Sequence, residues 1–365
     1  MVEYVCSTCT KVFTQKGHYD SHIARKRPCK KNDTIETIIE QKVQEALVKA
    51  SVVPAQTAPI PQRAIVKPFL KWVGGKTQII DTVLSKFPNE MHHYHEPFLG
   101  GGSVLLALLT HKANGTRKIT GTIYASDLNS NLIGLYKNIQ TNPDTLVQHI
   151  KLLVEEFSKS KGDTVNRKPT TLQEAMTSPE SYYYWIRSSF NALGTEQRTS
   201  IQGSAMLLFL NKTCFRGVYR EGPHGFNVPY GNYTNPSILD EQHIKDVSKL
   251  FQGVVFTHQS FTESLKRPTE GDFVYLDPPY APINETSFVG YTTDGFNLDA
   301  HKQLFQLCSA MKAKKVNMLL SNAQVPLVTN AFPASQGYTT TPISCRRAIH
   351  SKTPDARTNE VLITN

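Results

Sequence analysis

No stretch of this 365-residue chain reaches the run of about 18 apolar residues that a transmembrane helix requires, so no membrane span is expected. The opening Met-Val-Glu-Tyr-Val-Cys lacks the regions of a secretory signal, and the expected setting is intracellular, cytoplasm or nucleus. Cysteine is scarce. Six thiols in a reducing compartment do not make a disulfide framework, although the count is even. In such a compartment the Asn211-Lys212-Thr213 and Asn284-Glu285-Thr286 triplets carry no glycosylation meaning. Acids are outnumbered, 30 against 40 Lys and Arg, giving a formal charge of +10 and a pI near 9.2. That balance points to a polyanionic partner, although a merely soluble basic protein shares it. An apolar fraction of 39% with 17 Phe suffices for a core, and the length suits one large or two ordinary domains plus extras.

The positive charge is concentrated. Residues 1–31 carry Lys11, Lys16, Arg25, Lys26, Arg27, Lys30 and Lys31 against Glu3 and Asp20, a surplus of five and half the formal charge. The same segment holds Cys6, Cys9, His22 and Cys29 at zinc-ligand spacing: a close Cys pair for a hairpin, then two ligands from a following helix. Phe13 and Tyr19 stand where a Cys2His2 finger keeps its small core, and the segment resembles such a finger. It departs in its last ligand, a Cys rather than His, and in a wider final gap, where Pro28 breaks the helix and swings Cys29 inward. A unit this short folds only around metal, so residues 1–32 are expected to form a ββα module with structural Zn2+. A basic tail with chance cysteines is the plainer reading. Residues 33–64 follow, with apolar positions 35, 38, 39, 43, 46, 47 and 50 at helical spacing and then a Pro-rich linker. The protein is expected to be a monomer, with 34–50 available for weak dimerisation or for packing on the main domain.

The stretch around which residues 65–365 are organised is Phe273-Val274-Tyr275-Leu276-Asp277-Pro278-Pro279-Tyr280. An apolar strand runs into a carboxylate and two prolines that cannot continue a ladder. Asp277 is thereby presented at a strand's carboxyl end, where open α/β sheets bind ligands. A carboxylate, the Pro278 carbonyl and the Tyr280 ring suit an amino group on a flat heterocycle: two acceptors for its hydrogens and a face to stack on. A strand followed by a Pro-Pro turn is the bland alternative.

Two glycine-rich segments precede it. In Lys71-Trp72-Val73-Gly74-Gly75-Lys76 the glycines allow close backbone approach and Trp72 offers a face to a flat or cationic ligand. The spacing is not that of a Walker loop. Glu96-Pro97-Phe98-Leu99-Gly100-Gly101-Gly102-Ser103 reads as strand, glycine turn and helix start, and the following strand ends in Asp127. An acid at that place takes ribose hydroxyls, or else caps the next helix.

In this order and spacing the three motifs resemble the Dam-type DNA adenine-N6 methyltransferases, over about residues 65 to 365. The resemblance implies a Rossmann-like α/β sheet that uses S-adenosylmethionine. The implied reaction methylates adenine N6 in a short duplex palindrome such as GATC or CATG. Carried over by position, Trp72, Lys76, Glu96, Phe98, Gly100, Gly102, Asp127 and Asp277 are its cofactor contacts, Asp277, Pro278, Pro279 and Tyr280 its catalytic corner, and Lys71 a DNA contact. Residues 135–245 are then an inserted, mainly helical target-recognition region. Its segment 211–231 reads as a looped hairpin bearing Arg216, Tyr219, Arg220, His224 and Asn227, where Arg suits guanine edges and Asn adenine edges. Residues 281–297 read as a lid, the segments around 346–349 and 360–363 as edge elements, and Cys214, Cys308 and Cys345 as structural.

The expected mechanism is direct transfer to a flipped adenine. Two other classes share these features: a methyltransferase on another amino group, in RNA or protein glutamine, and a non-catalytic finger-bearing regulator. A restriction endonuclease partner is compatible with the resemblance. A finger ahead of such a body suggests a eukaryotic or large-DNA-virus source.

Overall fold

The computed structural model describes residues 3–9, 11–27, 64–282, 296–346 and 357–365, with the backbone alone at 345–346 and 357–358. The chain divides into two compact units, Met1–Pro54 and Ala55–Asn365. Cys29, the helix and linker expected over 33–63 and most of the lid lie outside the described residues.

In the first unit, strands Tyr4–Val5 and Val12–Phe13 pair antiparallel and lead into a helix, Lys16–Ile23. Only Cys6, Cys9 and His22 are buried among its described residues. Phe13 lies 4.9 Å from the His22 ring and 6.1 Å from Tyr19, as small-core residues should.

The second unit is built on a seven-stranded sheet. In chain order its strands are β1 (Tyr94–Glu96), β2 (Ile123–Asp127), β3 (Val254–His258), β4 (Phe273–Leu276), β5 (Asn317–Ala323), β6 (Thr339–Arg346) and β7 (Arg357–Thr364). They lie side by side as β6-β7-β5-β4-β1-β2-β3. The five from β5 to β3 are parallel, and β7 and β6 are antiparallel. All four residues of β4 are buried, which is why this strand reads as a continuous apolar run rather than an alternation.

The order carries the functional consequence. From β1 the chain steps outward through β2 to β3, then returns to the other side of β1 for β4 and β5. Winding reverses between β1 and β4, and such a reversal opens a ligand crevice at the carboxyl ends of the two strands. Glu96 ends β1, and Asp277 follows β4 directly.

Helix α1 (Ser103–Ala113) joins β1 to β2, and its residues 103–110 are all buried. Between β2 and β3 come α2 (Ser130–Thr141), α3 (Pro143–Lys159), α4 (Pro179–Ala192), α5 (Ile201–Thr213) and α6 (Glu241–Leu250). Tyr182, Tyr183, Tyr184 and Trp185 of α4 are core residues. Helix α7 (Leu298–Ala313) precedes β5. Among the described residues, no helix is long and apolar enough to cross a membrane.

One expectation is corrected. Residues 360–363 are not an edge element, because β7 is paired on both sides, Glu360 standing opposite Ala323 of β5 and Ile343 of β6. An apolar run near a terminus does not reveal whether a further strand will cover it, and here β6 does.

Candidate active site

Asp277 emerges where β4 stops, and its carboxylate is met by an ammonium. Lys76 Nζ donates to Asp277 Oδ2 at 2.6 Å and to the Gly74 carbonyl at 2.8 Å. The same nitrogen lies 5.0 Å from the centroid of the Tyr280 ring. Gly74, at φ +84°, turns the chain so that Lys76 can point inward, and the Lys76 amide donates to Ser103 Oγ at the start of α1. Burial raises the Asp277 pKa, the Lys76 charge and hydrogen bond hold it down, and the Glu360 charge raises it.

Glu96 is buried beside this pair and accepts a 2.7 Å hydrogen bond from the Tyr94 hydroxyl. Desolvation is the main reason its pKa rises to about 8; the Tyr94 bond opposes the rise and the Asp277 charge adds to it. At neutral pH Glu96 is therefore mostly protonated, which limits the negative charge next to Asp277.

The glycine turn between β1 and α1 packs against Trp72. A Cβ at Gly101 would stand 2.7 Å from Trp72 Cβ, so only glycine permits this approach. Trp72 in turn stacks on Tyr219, centroids 5.5 Å apart and planes 25° from parallel. Asp127 clamps the same turn: Oδ2 accepts from the Gly100 amide and Oδ1 from the Asn129 amide, both at 2.9 Å. Burial raises its pKa against these amide bonds. The helix-cap alternative for Asp127 is overturned, since the cap of α2 is Asn129, whose side chain accepts from the Leu132 amide. Phe98 stacks on Phe261 at 5.5 Å and meets Phe296 edge-on at 5.8 Å, forming an apolar wall near the carboxyl end of β1.

Tyr280 is fixed from the far side. Its hydroxyl donates to Glu360 Oε2 at 2.8 Å, and the next amide, Ala281, donates to Asn322 Oδ1 at 2.9 Å. Sequence reasoning missed both partners. Each is a polar residue in a strand, and nothing in its local pattern separates it from a solvent-facing position.

The segment 211–231 is more open. Strands Glu221–Gly222 and Gly225–Phe226 form the expected hairpin. Arg220 Nε donates to Asn227 Oδ1 at 2.6 Å, Arg216 is exposed with a positive φ of 57°, and His224 is exposed. Tyr219 is less free than expected: it packs on Trp72, accepts from Asn131 Nδ2 at 3.0 Å and donates to Glu221 at 2.7 Å. Lys71 is exposed, but its backbone is clasped by Asn211, which accepts from the Lys71 amide at 2.9 Å and donates to its carbonyl at 2.7 Å. Cys214 and Cys308 are fully buried, as expected of structural residues.

Two further clusters hold metal-ligand residue types. In the first unit the ligand atoms of Cys6, Cys9 and His22 lie within 4.8 Å of one another, with Cys9 Sγ 3.3 Å from His22 Nε2. In the second, His92, His93 and Asp272 gather at the amino ends of β1 and β4. There Asp272 accepts from the amides of His93 at 3.0 Å and Thr269 at 2.8 Å, and His93 Nδ1 accepts from the Thr122 amide at 2.7 Å. These atoms are committed to joining strands at the end of the sheet away from Asp277.

Residues 72–341 match the family described as D12 class N6 adenine-specific DNA methyltransferase. The chain is similar to the Type II methyltransferase M.MjaIII of Methanocaldococcus jannaschii, 37% identical over 265 residues, 71% of this chain and 84% of the relative. It is also similar to the Type II methyltransferase M1.LlaDCHI of Lactococcus lactis subsp. cremoris, 30% identical over 73% of this chain and 84% of that one. The DNA adenine methylase of Haemophilus influenzae is 31% identical over 70% of this chain and 79% of its own length. The matched span contains the switch-point crevice, the glycine turn and the Asp277 corner, and the chain belongs to the D12 class of adenine-specific DNA methyltransferases.

Proposed function

We propose that this methyltransferase acts on N6 of an adenine rotated out of duplex DNA, and that the corner formed by Asp277, Pro278, Pro279 and Tyr280 holds that base. The observation that carries the reading is the position of Lys76. A nitrogen donor already rests on Asp277 at 2.6 Å and 5.0 Å from the Tyr280 ring, the two partners that an adenine amino group would use. Asp277 and the Pro278 carbonyl accept the two amino hydrogens, which draws the nitrogen toward tetrahedral geometry and frees its lone pair. Tyr280 stacks on the ring, and Pro279 keeps the corner rigid. Lys76 moves off Asp277 as the base enters.

The family implies S-adenosylmethionine, which supplies the electrophilic methyl group when bound. The residues fit it. The glycine turn allows close backbone approach at the switch point, and the Phe98 wall suits its adenosyl group. Trp72, Lys76, Glu96, Gly100, Gly102 and Asp127 complete the pocket, with the Asp127 clamp fixing the turn's shape. Rate acceleration on this account comes from positioning two reactants in line. The target is a short palindrome read from the inserted region by Arg216, Tyr219, Arg220, His224 and Asn227, with Lys71 on the backbone. Duplex DNA as substrate sets the protein inside the cell, and a cognate restriction endonuclease belongs to the same proposal, since two relatives are named Type II methyltransferases.

The first unit is a zinc module in this reading. Its described residues bury two thiols and an imidazole and no hydrocarbon side chain, so the donor set is the core. Cys29 supplies the fourth ligand. Chelation should abolish the circular-dichroism signal of an isolated 1–32 peptide and zinc should restore it; a peptide equally folded in chelator would overturn the assignment.

The main test is tritiated methyl transfer onto unmethylated duplex DNA, RNA and protein. Activity on duplex DNA alone is expected, with Asp277→Ala reducing it by at least ~10²–10³-fold while DNA binding persists. Full activity in that variant, or preference for RNA or protein, would refute the reading.

A further inference from the structure

Glu360 lies outside residues 72–341, the span matched by the family, and no motif in the sequence singles it out. It lies in the middle of β7, two strands away from β4. The residue of β5 directly opposite is Ala323, whose side chain is a single methyl, and the Glu360 carboxylate reaches past it to accept the Tyr280 hydroxyl at 2.8 Å. One position back along β5, Asn322 is fully buried and its Oδ1 accepts from the amides of Ala281 at 2.9 Å and Ala323 at 2.8 Å. Consecutive residues after the Pro-Pro pair are thus tied to two strands that the chain completes only after α7. One tie fixes the ring and the other fixes the backbone that carries it.

We propose that Glu360 is a positioning residue for methyl transfer: it anchors the far end of the Tyr280 ring in the place required to stack on the target base, with Asn322 fixing the backbone beneath. The inference rests on the stacking role of Tyr280 proposed above. A phenol free to swing about χ1 would carry the stacking face away from the base, and the two prolines before it cannot constrain that side chain. A hydrogen bond from the phenol to a carboxylate oxygen ties that ring end in place. Burial, together with the charges of Asp277 and Glu360, pushes the Tyr280 pKa well up, so the hydroxyl remains the donor. Because Glu360 is itself half-buried, its loss disturbs orientation more than folding.

The test measures single-turnover methyl transfer to unmethylated duplex DNA by the full chain, alongside duplex affinity. Glu360→Ala should lower the rate roughly ten- to a hundredfold, the scale of a misoriented reactant, with affinity unchanged. Glu360→Gln, which still accepts the hydroxyl, should recover most of the rate. Tyr280→Phe severs the same tie from the other side and should match Glu360→Ala, and the double variant should be no slower than either. A wild-type rate in Glu360→Ala or Tyr280→Phe, or losses that multiply in the double variant, would overturn the proposal. Should Glu360→Ala fail to fold, Tyr280→Phe decides alone. Tyr280→Ala separates the two levels: a full rate there removes the stacking role and this inference with it, whereas a large loss with a normal rate in Glu360→Ala removes only the inference.

Discussion

The corner at Asp277 and the hairpin at 221–226 lie in one compact unit and are built in opposite ways. At the corner, ties come from distant parts of the chain. Asp277 is held by Lys76, Tyr280 by Glu360 and Ala281 by Asn322, all from buried or half-buried positions. In the hairpin the polar contacts are mostly local and exposed: Arg220 to Asn227 and Tyr219 to Glu221. Groups that must stand within fractions of an ångström of a reacting atom belong on a rigid sheet. Groups that must conform to a polymer surface gain from short strands with few anchors. Tyr219 belongs to both regions, because it bears on Trp72 at the glycine turn while leading into the hairpin.

The sharpest way to test this contrast is to remove the ion at the corner. Lys76→Met should cost on the order of 10²-fold in methyl transfer. Since Lys76 holds the Asp277 pKa down in the free enzyme, the acid limb of the variant's kcat/KM profile should also move to higher pH; an unmoved limb in that profile would sink the account. Next in size, Arg220→Ala should lose ~1–3 kcal/mol of discrimination between DNA sites, with the single-turnover rate on saturating DNA nearly intact. Equal loss on every sequence would make Arg220 a phosphate contact instead. A separate effect concerns stability. Glu96 has a folded pKa of about 8 against an ordinary 4.5, so between those values the folded chain holds a proton that the unfolded chain has released. Its contribution is full below about 4.5 and is lost as pH rises toward 8, at up to about 1.4 kcal/mol per pH unit. Urea unfolding of Glu96→Gln, which keeps an acceptor for Tyr94, should lack that slope. The smallest change is expected for Asn227→Ala, which frees the Arg220 side chain: about 1 kcal/mol or less in DNA affinity, read by titration.

Much of this was legible along the chain. The strand into Asp277 and the glycine turn after Glu96 read correctly because each is a local pattern: an apolar run ended by proline, and glycines before an apolar helix. The hairpin within 211–231 read correctly for the same reason. Asp127 was legible as an important acid, but its clamp on the Gly100 amide was not, since that contact spans 27 residues. The misreading of 360–363 as an edge has the same cause: burial of β7 depends on β6 folding back beside it.

By itself, then, the sequence determined the family, the α/β class and the strand that ends in Asp277, because short motifs record the residue types that a strand end, a glycine turn and a helix start need. Tertiary structure alone decided that winding reverses between β1 and β4, that Lys76 rests on Asp277, and that Glu360 and Asn322 reach back to Tyr280 and Ala281. The physical reason is separation along the chain. Lys76 and Asp277 are 201 residues apart, and Glu360 and Tyr280 are 80, so only the order and direction of the strands bring these side chains within hydrogen-bonding distance.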